Sequence, residues 1–257
     1  MTRVALVTGA ARGIGAATVR RLAGEGWSVV AVDVCADDPA LSYPMATRAE
    51  LDALRDSGSV TTAVADVRDL AALSAAVDLA RTAYGGLDAA IAIAGVVAGG
   101  QPHWENDAAA ERVVLDVDLG GVLNLARVAV PLMLERPEPR SGRFVAVASA
   151  AATRGLTKLA AYCAAKAGVA GFVRALATDL AGSGITANTV SPGSTLTPAL
   201  QASAALYGID TDDFVEQQPI GRLLDPDEVA AAIVWLAGEQ SSAMTGADVA
   251  VDGGLAL

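Results

Sequence analysis

The sequence predicts an α/β fold, in which a doubly wound parallel sheet of about seven strands has helices on both faces. Short apolar runs alternate along the chain with longer segments rich in alanine, leucine and valine. The short runs are apolar at nearly every position, which indicates strands that are covered on both faces. The 257 residues, of which 53% are hydrophobic, are enough for one large domain with a substantial core.

Seven strands and five long helices are predicted, and residues 1–257 form a single domain without a linker or repeat. The predicted strands are Val4–Val7, Ser28–Val32, Val60–Ala65, Leu87–Ile93, Arg143–Ala148, Ile185–Val190 and Ala247–Val251. The predicted helices cover 13–25, 69–84, 107–135, 159–182 and 225–238. Asp225 and Pro226 mark the start of the last helix as an N-cap and a first-turn proline.

Composition excludes several classes of function. The net charge is −11, and there is no basic block, so we expect no nucleic-acid partner. Cys35, Cys163 and the single histidine, His103, suggest neither a disulfide framework nor a metal site. No apolar run approaches the roughly 18 residues that a membrane span needs. We therefore expect a cytoplasmic enzyme that is not attached to a membrane.

A glycine-rich segment joins the first strand to the first helix. Its sequence is Thr8-Gly9-Ala10-Ala11-Arg12-Gly13-Ile14-Gly15. Glycines at this position permit a tight turn and let the backbone approach a pyrophosphate at the helix N-terminus. The segment therefore predicts dinucleotide binding on a Rossmann-type fold.

Asp33 closes the second strand and lies 18 positions after Gly15. A carboxylate at this strand end accepts hydrogen bonds from ribose hydroxyls and repels a 2′-phosphate. Arg12 in the glycine segment favours NADP instead, because its guanidinium can pair with a phosphate. A fixed anion outweighs a mobile cation, and we predict NAD as the cofactor.

Tyr162 and Lys166 are four residues apart in a predicted helix. They therefore lie on one helix face, about 6 Å apart along the axis. A neighbouring ammonium lowers the pKa of a tyrosine, which is ordinarily about 10. Ser149 ends the fifth strand, 13 residues before Tyr162, at the sheet edge where ligands bind. These three residues predict a site for proton transfer beside the bound dinucleotide.

The glycine spacing and these three residues resemble the short-chain dehydrogenase/reductase family over essentially the whole chain. The resemblance implies that Ser149 binds the substrate oxygen, Tyr162 is the general acid/base, and Lys166 stabilises the phenolate and binds the cofactor ribose. It also implies further cofactor contacts from Asp66, Val67, Ala94, Gly95, Pro192, Gly193, Thr195 and Thr197.

Two positions depart from the family pattern. Ala92-Ile93-Ala94-Gly95 replaces Asn-Asn-Ala-Gly, so the bracing usually supplied by amide side chains must come from elsewhere. Asp118 stands where the family has an asparagine that supports a proton-relay water. Asn124 cannot replace it, because six residues correspond to a 240° rotation around a helix. Asp118 is either part of a relay or an inert pocket wall.

Residues 34–59 interrupt the regular alternation and form an insertion near the cofactor. Thr47 and Glu50 form a capping-box pattern, which predicts a short helix to about Ser57. The preceding residues, including Asp37-Asp38-Pro39 and Tyr43-Pro44-Met45, resemble the mycofactocin-coupled branch of the family. That resemblance implies tightly held NAD, whose hydride passes to the redox cofactor mycofactocin. The alternative interpretation of residues 34–59 is an extended surface loop without this role.

The predicted substrate pocket is formed by Val96–Trp104, Ala150–Leu159 and Leu196–Tyr207, with residues 194–218 as a lid. These segments are mostly small or apolar, which favours an apolar secondary alcohol or its ketone. The resemblance implies a homotetramer. The alternatives are a ketone reductase with exchangeable NAD(P) and a non-catalytic nucleotide sensor. An enoyl reductase is disfavoured, because that branch would need lysine where Val169 stands.

Overall fold

A computed structural model describes residues 2–257, which form one sheet of seven parallel strands in the order β3-β2-β1-β4-β5-β6-β7. The strands are β1 (Val4–Thr8), β2 (Ser28–Asp33), β3 (Val60–Val64), β4 (Ala89–Ala92), β5 (Gly142–Val147), β6 (Ile185–Pro192) and β7 (Asp248–Val251). The predicted doubly wound α/β fold is confirmed. The strand order reverses between β1 and β4, which places a ligand crevice at their carboxyl ends.

The described residues contain eight α-helices. They are α1 (Gly13–Gly24), α2 (Arg48–Asp52), α3 (Leu70–Tyr84), α4 (Ala108–Val114), α5 (Gly121–Leu134), α6 (Ala160–Asp179), α7 (Pro198–Tyr207) and α8 (Pro226–Ala237). Alternate strand residues point to opposite faces. Leu6 and Phe144 belong to the core beneath α3, α5 and α6, while Val7 and Val145 belong to the core beneath α1 and α8. The inner strands β1, β2, β4 and β5 are mostly apolar and buried on both faces, whereas the edge strands β3 and β7 are partly exposed.

The helix predicted over 107–135 is interrupted in the structure. A π-helical turn, Leu115–Gly120, separates α4 from α5. Turns of this type carry an additional residue per hydrogen-bonded ring and occur frequently at functional sites. The apolar periodicity continues through it, so the sequence shows no sign of the interruption. The turn contains Asp118, whose side chain it directs into the interior.

The insertion at 34–59 contains the predicted capping box. Thr47 Oγ1 accepts the N–H of Glu50 at 3.3 Å, and Glu50 Oε2 accepts the N–H of Thr47 at 2.6 Å. The helix begins there as α2 and ends in a 3₁₀ turn, Ala53–Ser57. Its buried Leu51 and Leu54 join the core beneath α1. This attachment leaves residues 34–46, which we call the strap, to cross the carboxyl edge of the sheet.

The structure adds a helix, α7, within the predicted lid 194–218. Thr197 caps its first turn by accepting the N–H of Leu200 at 3.3 Å, and Gly208 ends it in the left-handed conformation. Leu200 and Phe214 pack in a small apolar cluster that belongs to this segment. Between residues 2 and 257, no helix is both long and apolar enough to cross a membrane.

Candidate active site

Two adjoining clefts at the carboxyl edge of the sheet bring the predicted site residues together. The first is lined by the predicted cofactor residues Gly9, Arg12, Gly13, Ile14, Gly15, Asp33, Asp66, Val67, Ala94, Gly95 and Thr197. The second, with a volume of about 570 Å³, is lined by Asp118, Ser149, Tyr162, Lys166, Pro192, Gly193 and Thr195. Ile14, Gly95 and Thr197 line both clefts. A ligand that spans the two would lie beside Tyr162.

Gly9 and Gly15 in the glycine segment pack too closely against neighbouring backbone to carry side chains. A Cβ atom on Gly15 would lie 1.9 Å from the Gly9 carbonyl oxygen, and one on Gly9 would lie 2.6 Å from Ala94 Cα. Gly9 and Gly13 also have positive φ angles of 65° and 56°, which favour glycine. The turn therefore leaves backbone, rather than side chains, facing the first cleft at the start of α1. This arrangement fits a bound pyrophosphate.

Asp33 braces the glycine segment. Its Oδ2 accepts the N–H of Ala11 at 2.9 Å, while Oδ1 has only a long 3.5 Å contact with the N–H of Cys35. One carboxylate oxygen is thus used by the protein and the other keeps accepting capacity at the cleft. The guanidinium of Arg12 is engaged by the strap, because its Nη2 donates to the Pro44 carbonyl at 2.9 Å.

Thr8 braces the turn that follows β4. Its Oγ1 accepts the N–H of Ile93 at 3.2 Å and the N–H of Ala94 at 3.4 Å. One hydroxyl at the end of β1 therefore holds the turn that follows β4. The sequence shows the missing amides but gives no sign of this contact of Thr8.

A cluster of three ionisable side chains lies at the junction of the clefts and consists of Tyr162, Lys166 and Asp118. Lys166 Nζ lies 5.5 Å from the centre of the Tyr162 ring and 3.1 Å from Asp118 Oδ2. It also donates to the Val147 carbonyl at 3.3 Å. Burial lowers the pKa of Lys166, but the neighbouring Asp118 carboxylate and Tyr162 bring it above its ordinary value. Lys166 is therefore a buried ammonium between a carboxylate and a phenol.

The pKa of Tyr162 is raised above its ordinary value. Burial is the largest cause, and the Asp118 carboxylate adds to it. Lys166 and the Ser149 hydroxyl act in the opposite direction and favour the phenolate. The pKa of Tyr162 thus depends on burial and on the balance between the Lys166 cation and the Asp118 anion.

Asp118 is completely buried. Its Oδ1 accepts the N–H of Val96 at 2.8 Å, and its Oδ2 faces Lys166. Burial raises the pKa of this carboxyl, while the Lys166 charge opposes the rise. Asn124 lies elsewhere, since its Nδ2 donates to the Val67 carbonyl at 2.9 Å.

The second cleft is apolar around Ser149 and Tyr162. Leu156, Leu159, Leu200 and Phe214 contribute to its lining, and Tyr207 donates to the Thr157 carbonyl at 2.6 Å across it. Of the predicted segment Val96–Trp104, only Val96 and Val97 line the cleft. Trp104 is 81% exposed, and His103 pairs with Glu111 at 3.1 Å. The 3₁₀ turn that begins at His103 carries both side chains away from the cleft.

Several residues that line the two clefts were not predicted from the sequence. The strap contributes Leu41 and Tyr43 to the first cleft, and the chain end contributes Leu255 to the second. These residues come from irregular segments, where no periodic pattern indicates which side chains face inward. Across residues 2–257 there is also no cluster of three or more histidine, cysteine or acidic side chains arranged to hold a metal ion.

Comparisons with known proteins agree with this geometry. A family model described as enoyl-(acyl carrier protein) reductase matches residues 9–256. Cis-4-hydroxycyclohexanecarboxylate dehydrogenase of Sinomonas cyclohexanicum is 42% identical over 255 residues, which cover 98% of this chain and 96% of that protein. A short-chain dehydrogenase from Mycobacterium paratuberculosis, solved with NAD, is 30% identical with a TM-score of 0.90 and covers 99% of this chain and 97% of its own. The chain belongs to the short-chain dehydrogenase/reductase family.

Solved members of this family carry either nicotinamide cofactor. A variant of actinorhodin polyketide ketoreductase with NADPH is 33% identical, with a TM-score of 0.87, and covers 99% of this chain and 97% of its own. This short-chain dehydrogenase/reductase is accordingly an alcohol dehydrogenase that uses a nicotinamide cofactor. The glycine segment and the Oδ1 atom of Asp33, which both face the first cleft, fit such a dinucleotide.

Proposed function

We propose that this protein is an NAD-dependent dehydrogenase that interconverts an apolar secondary alcohol and its ketone. The observation that supports this most strongly is the placement of Tyr162 beside the Lys166 ammonium, where an apolar cleft meets a glycine-lined cleft. A non-catalytic nucleotide sensor would not require this buried cation next to a phenol. An enoyl reductase is a weaker candidate, because Val169 is fully buried in the core and faces neither cleft.

The chain's own residues would handle the proton. Ser149 would hold the substrate oxygen, and Tyr162 would take the hydroxyl proton during oxidation. Lys166 would stabilise the resulting phenolate and bind the cofactor ribose, consistent with its position 5.5 Å from the ring. When bound, the nicotinamide supplies the hydride acceptor.

The first cleft favours NAD over NADP. Asp33 presents a carboxylate oxygen at the end of β2, where it would accept from a ribose hydroxyl and repel a 2′-phosphate. Arg12, the cation that could offset this, is held by the Pro44 carbonyl. Asp66, Val67, Thr195 and Thr197 complete the proposed set of contacts in the clefts that they line.

The substrate that we propose is an alicyclic secondary alcohol. Leucine and phenylalanine side chains line the second cleft around Ser149, which favours a compact apolar ring. The related enzyme from Sinomonas is named for a hydroxylated cyclohexane carboxylate. Residues 194–218 would cover this substrate as a lid. We also propose that the protein is cytoplasmic and assembles as a homotetramer, as the family resemblance implies.

The strap suggests how NAD would be retained. It is attached to three separate parts of the fold, through Arg12 and Pro44 at 2.9 Å, Arg68 and Asp38 at 2.8 Å, and Tyr43 and Val97 at 2.8 Å. Release of a dinucleotide beneath it would require these contacts to break. We therefore propose that NAD stays bound between turnovers and that mycofactocin accepts the hydride. The alternative is ordinary exchange of free NAD.

Mass analysis of the purified protein after denaturation tests this proposal. We expect NAD to be released without any having been added, in an amount close to one per chain. An alcohol should then reduce this bound NAD in a single turnover. Protein that is purified without NAD but reduces free NAD⁺ would support ordinary exchange. Protein that neither contains nor binds a nicotinamide dinucleotide would overturn the proposed function.

Replacement of Asp118 by asparagine tests its part in proton transfer. The Asp118 carboxylate raises the pKa of Tyr162, whereas the Lys166 ammonium lowers it. Removal of this charge should lower the pKa of Tyr162, so the acidic limb of the pH–rate profile for oxidation should move to lower pH.

The matched control for this experiment is Asp116→Asn, because Asp116 lies in the same π-helical turn but pairs with Arg112 at the surface. Its profile should match that of the unaltered enzyme. A profile for Asp118→Asn that does not move in position or height would show that Asp118 is only a pocket wall.

A further inference from the structure

Tyr43 is the one strap residue whose polar side-chain atom reaches the catalytic end of the clefts. Its ring packs in the apolar cluster that contains Val97, Leu159 and Tyr162, and the residue lines the first cleft. Its charge environment includes Asp118, Tyr162 and Arg12. The hydroxyl therefore lies between the glycine segment and the catalytic tyrosine, rather than at the adenine end beside Asp33.

The Tyr43 hydroxyl accepts a hydrogen bond but donates none within the described residues. Its oxygen accepts the N–H of Val97 at 2.8 Å. A backbone N–H can only donate, so the hydroxyl hydrogen of Tyr43 is free to donate to another group. Within residues 2–257 no acceptor receives it. Burial raises the pKa of Tyr43 to about 12, so the hydroxyl keeps this hydrogen at neutral pH.

The neighbouring amide connects the strap to the catalytic group. The N–H of Val96 donates to Asp118, which pairs with Lys166, and the next N–H, that of Val97, donates to Tyr43. Two consecutive amides after β4 thus orient Asp118 and Tyr43 together. The Tyr43 oxygen is held at a defined position in the cleft wall, which is what a specific ligand contact requires.

We propose that Tyr43 is a cofactor-binding residue, whose hydroxyl donates to a phosphate or ribose oxygen on the nicotinamide half of the dinucleotide. This inference rests on the proposed function, because it assumes that a nicotinamide dinucleotide occupies the first cleft. It adds a direct contact to the three attachments of the strap. The strap would then bind the cofactor as well as cover it.

Tyr43→Phe tests the proposal, because it removes the hydroxyl and keeps the ring in its apolar cluster. Loss of one hydrogen bond, about 0.5–1.5 kcal/mol, corresponds to about a 2- to 13-fold change. We expect NADH to dissociate faster from the variant by this factor, as measured by the decay of bound-NADH fluorescence after dilution into excess NAD⁺. The affinity for AMP, which lacks the nicotinamide half, should stay within about twofold.

Tyr84→Phe is the matched control, because Tyr84 on α3 donates or accepts at Thr61 at 2.8 Å and lines neither cleft. It should leave both measurements unchanged. Equal NADH dissociation from the Tyr43→Phe and unaltered proteins would overturn the proposal. Equal weakening of NADH and AMP would also overturn it, since Tyr43 would then act only by attaching the strap. Failure of the unaltered protein to bind NADH after its resident NAD has been released would instead overturn the proposed function itself, and this inference with it.

Discussion

Tyr162→Phe is expected to lower the rate of alcohol oxidation by about 10²–10⁴-fold, the usual contribution of a positioned general acid/base. The phenylalanine ring keeps the packing of Tyr162 between Lys166 and the apolar cluster, so the fold and the cofactor cleft should be preserved. What is lost is the hydroxyl that we propose takes the substrate proton. The loss should therefore appear in the chemical step rather than in cofactor affinity.

Single-turnover kinetics with a bound dinucleotide measure this step directly. NADH binding to the Tyr162→Phe variant should stay within a few-fold of that of the unaltered enzyme, while the rate of hydride transfer falls. Tyr84→Phe, which removes a hydroxyl at a distance from both clefts, should keep the full rate. A Tyr162→Phe enzyme with undiminished turnover would show that another residue is the general acid/base.

Gly15→Ala is expected to weaken dinucleotide binding by about 10²-fold. An added Cβ would lie 1.9 Å from the Gly9 carbonyl oxygen, so the turn between β1 and α1 would have to move. A displacement of about 1 Å at a binding element is enough for an effect of this size. Binding can be measured by isothermal titration with NADH, after release of any resident cofactor.

Gly24→Ala is the matched control in the same helix, because a Cβ on Gly24 would meet no atom within 4 Å. Alanine in place of glycine should stabilise the end of α1 by about 0.5–1 kcal/mol and leave binding unchanged. Both variants should be folded, as judged by thermal unfolding. Full NADH affinity in folded Gly15→Ala would contradict the role that we assign to the glycine turn.

The sheet and the position of its crevice could be predicted from the sequence for a physical reason. Strands that are buried on both faces must be apolar throughout, and the segment Ser28–Asp33 shows this together with a terminal acid. The carboxyl ends of parallel strands meet at one edge, so Asp33 and Ser149 had to lie near the glycine segment. Family resemblance supplied the remaining site residues, such as Thr197.

The parts that could not be predicted depend on contacts between distant segments. The π-helical turn around Asp118 leaves the apolar periodicity almost unchanged, and so a continuous helix was expected. Thr8 holds the turn after β4 through hydrogen bonds to residues about 85 positions later. The position of Tyr43 depends on a loop that has no periodic pattern. In each case the deciding interaction is tertiary.

The complete burial of the Asp118–Lys166 pair has a consequence for the response of the enzyme to ionic strength. Dissolved ions screen exposed charges over about 10 Å at 0.1 M salt, but they reach a buried pair far less. Surface pairs such as Arg222–Glu228, with about half of each side chain exposed, should weaken as salt is added. The electrostatic field of this pair at the Tyr162 hydroxyl should therefore stay nearly constant from low to high salt concentration.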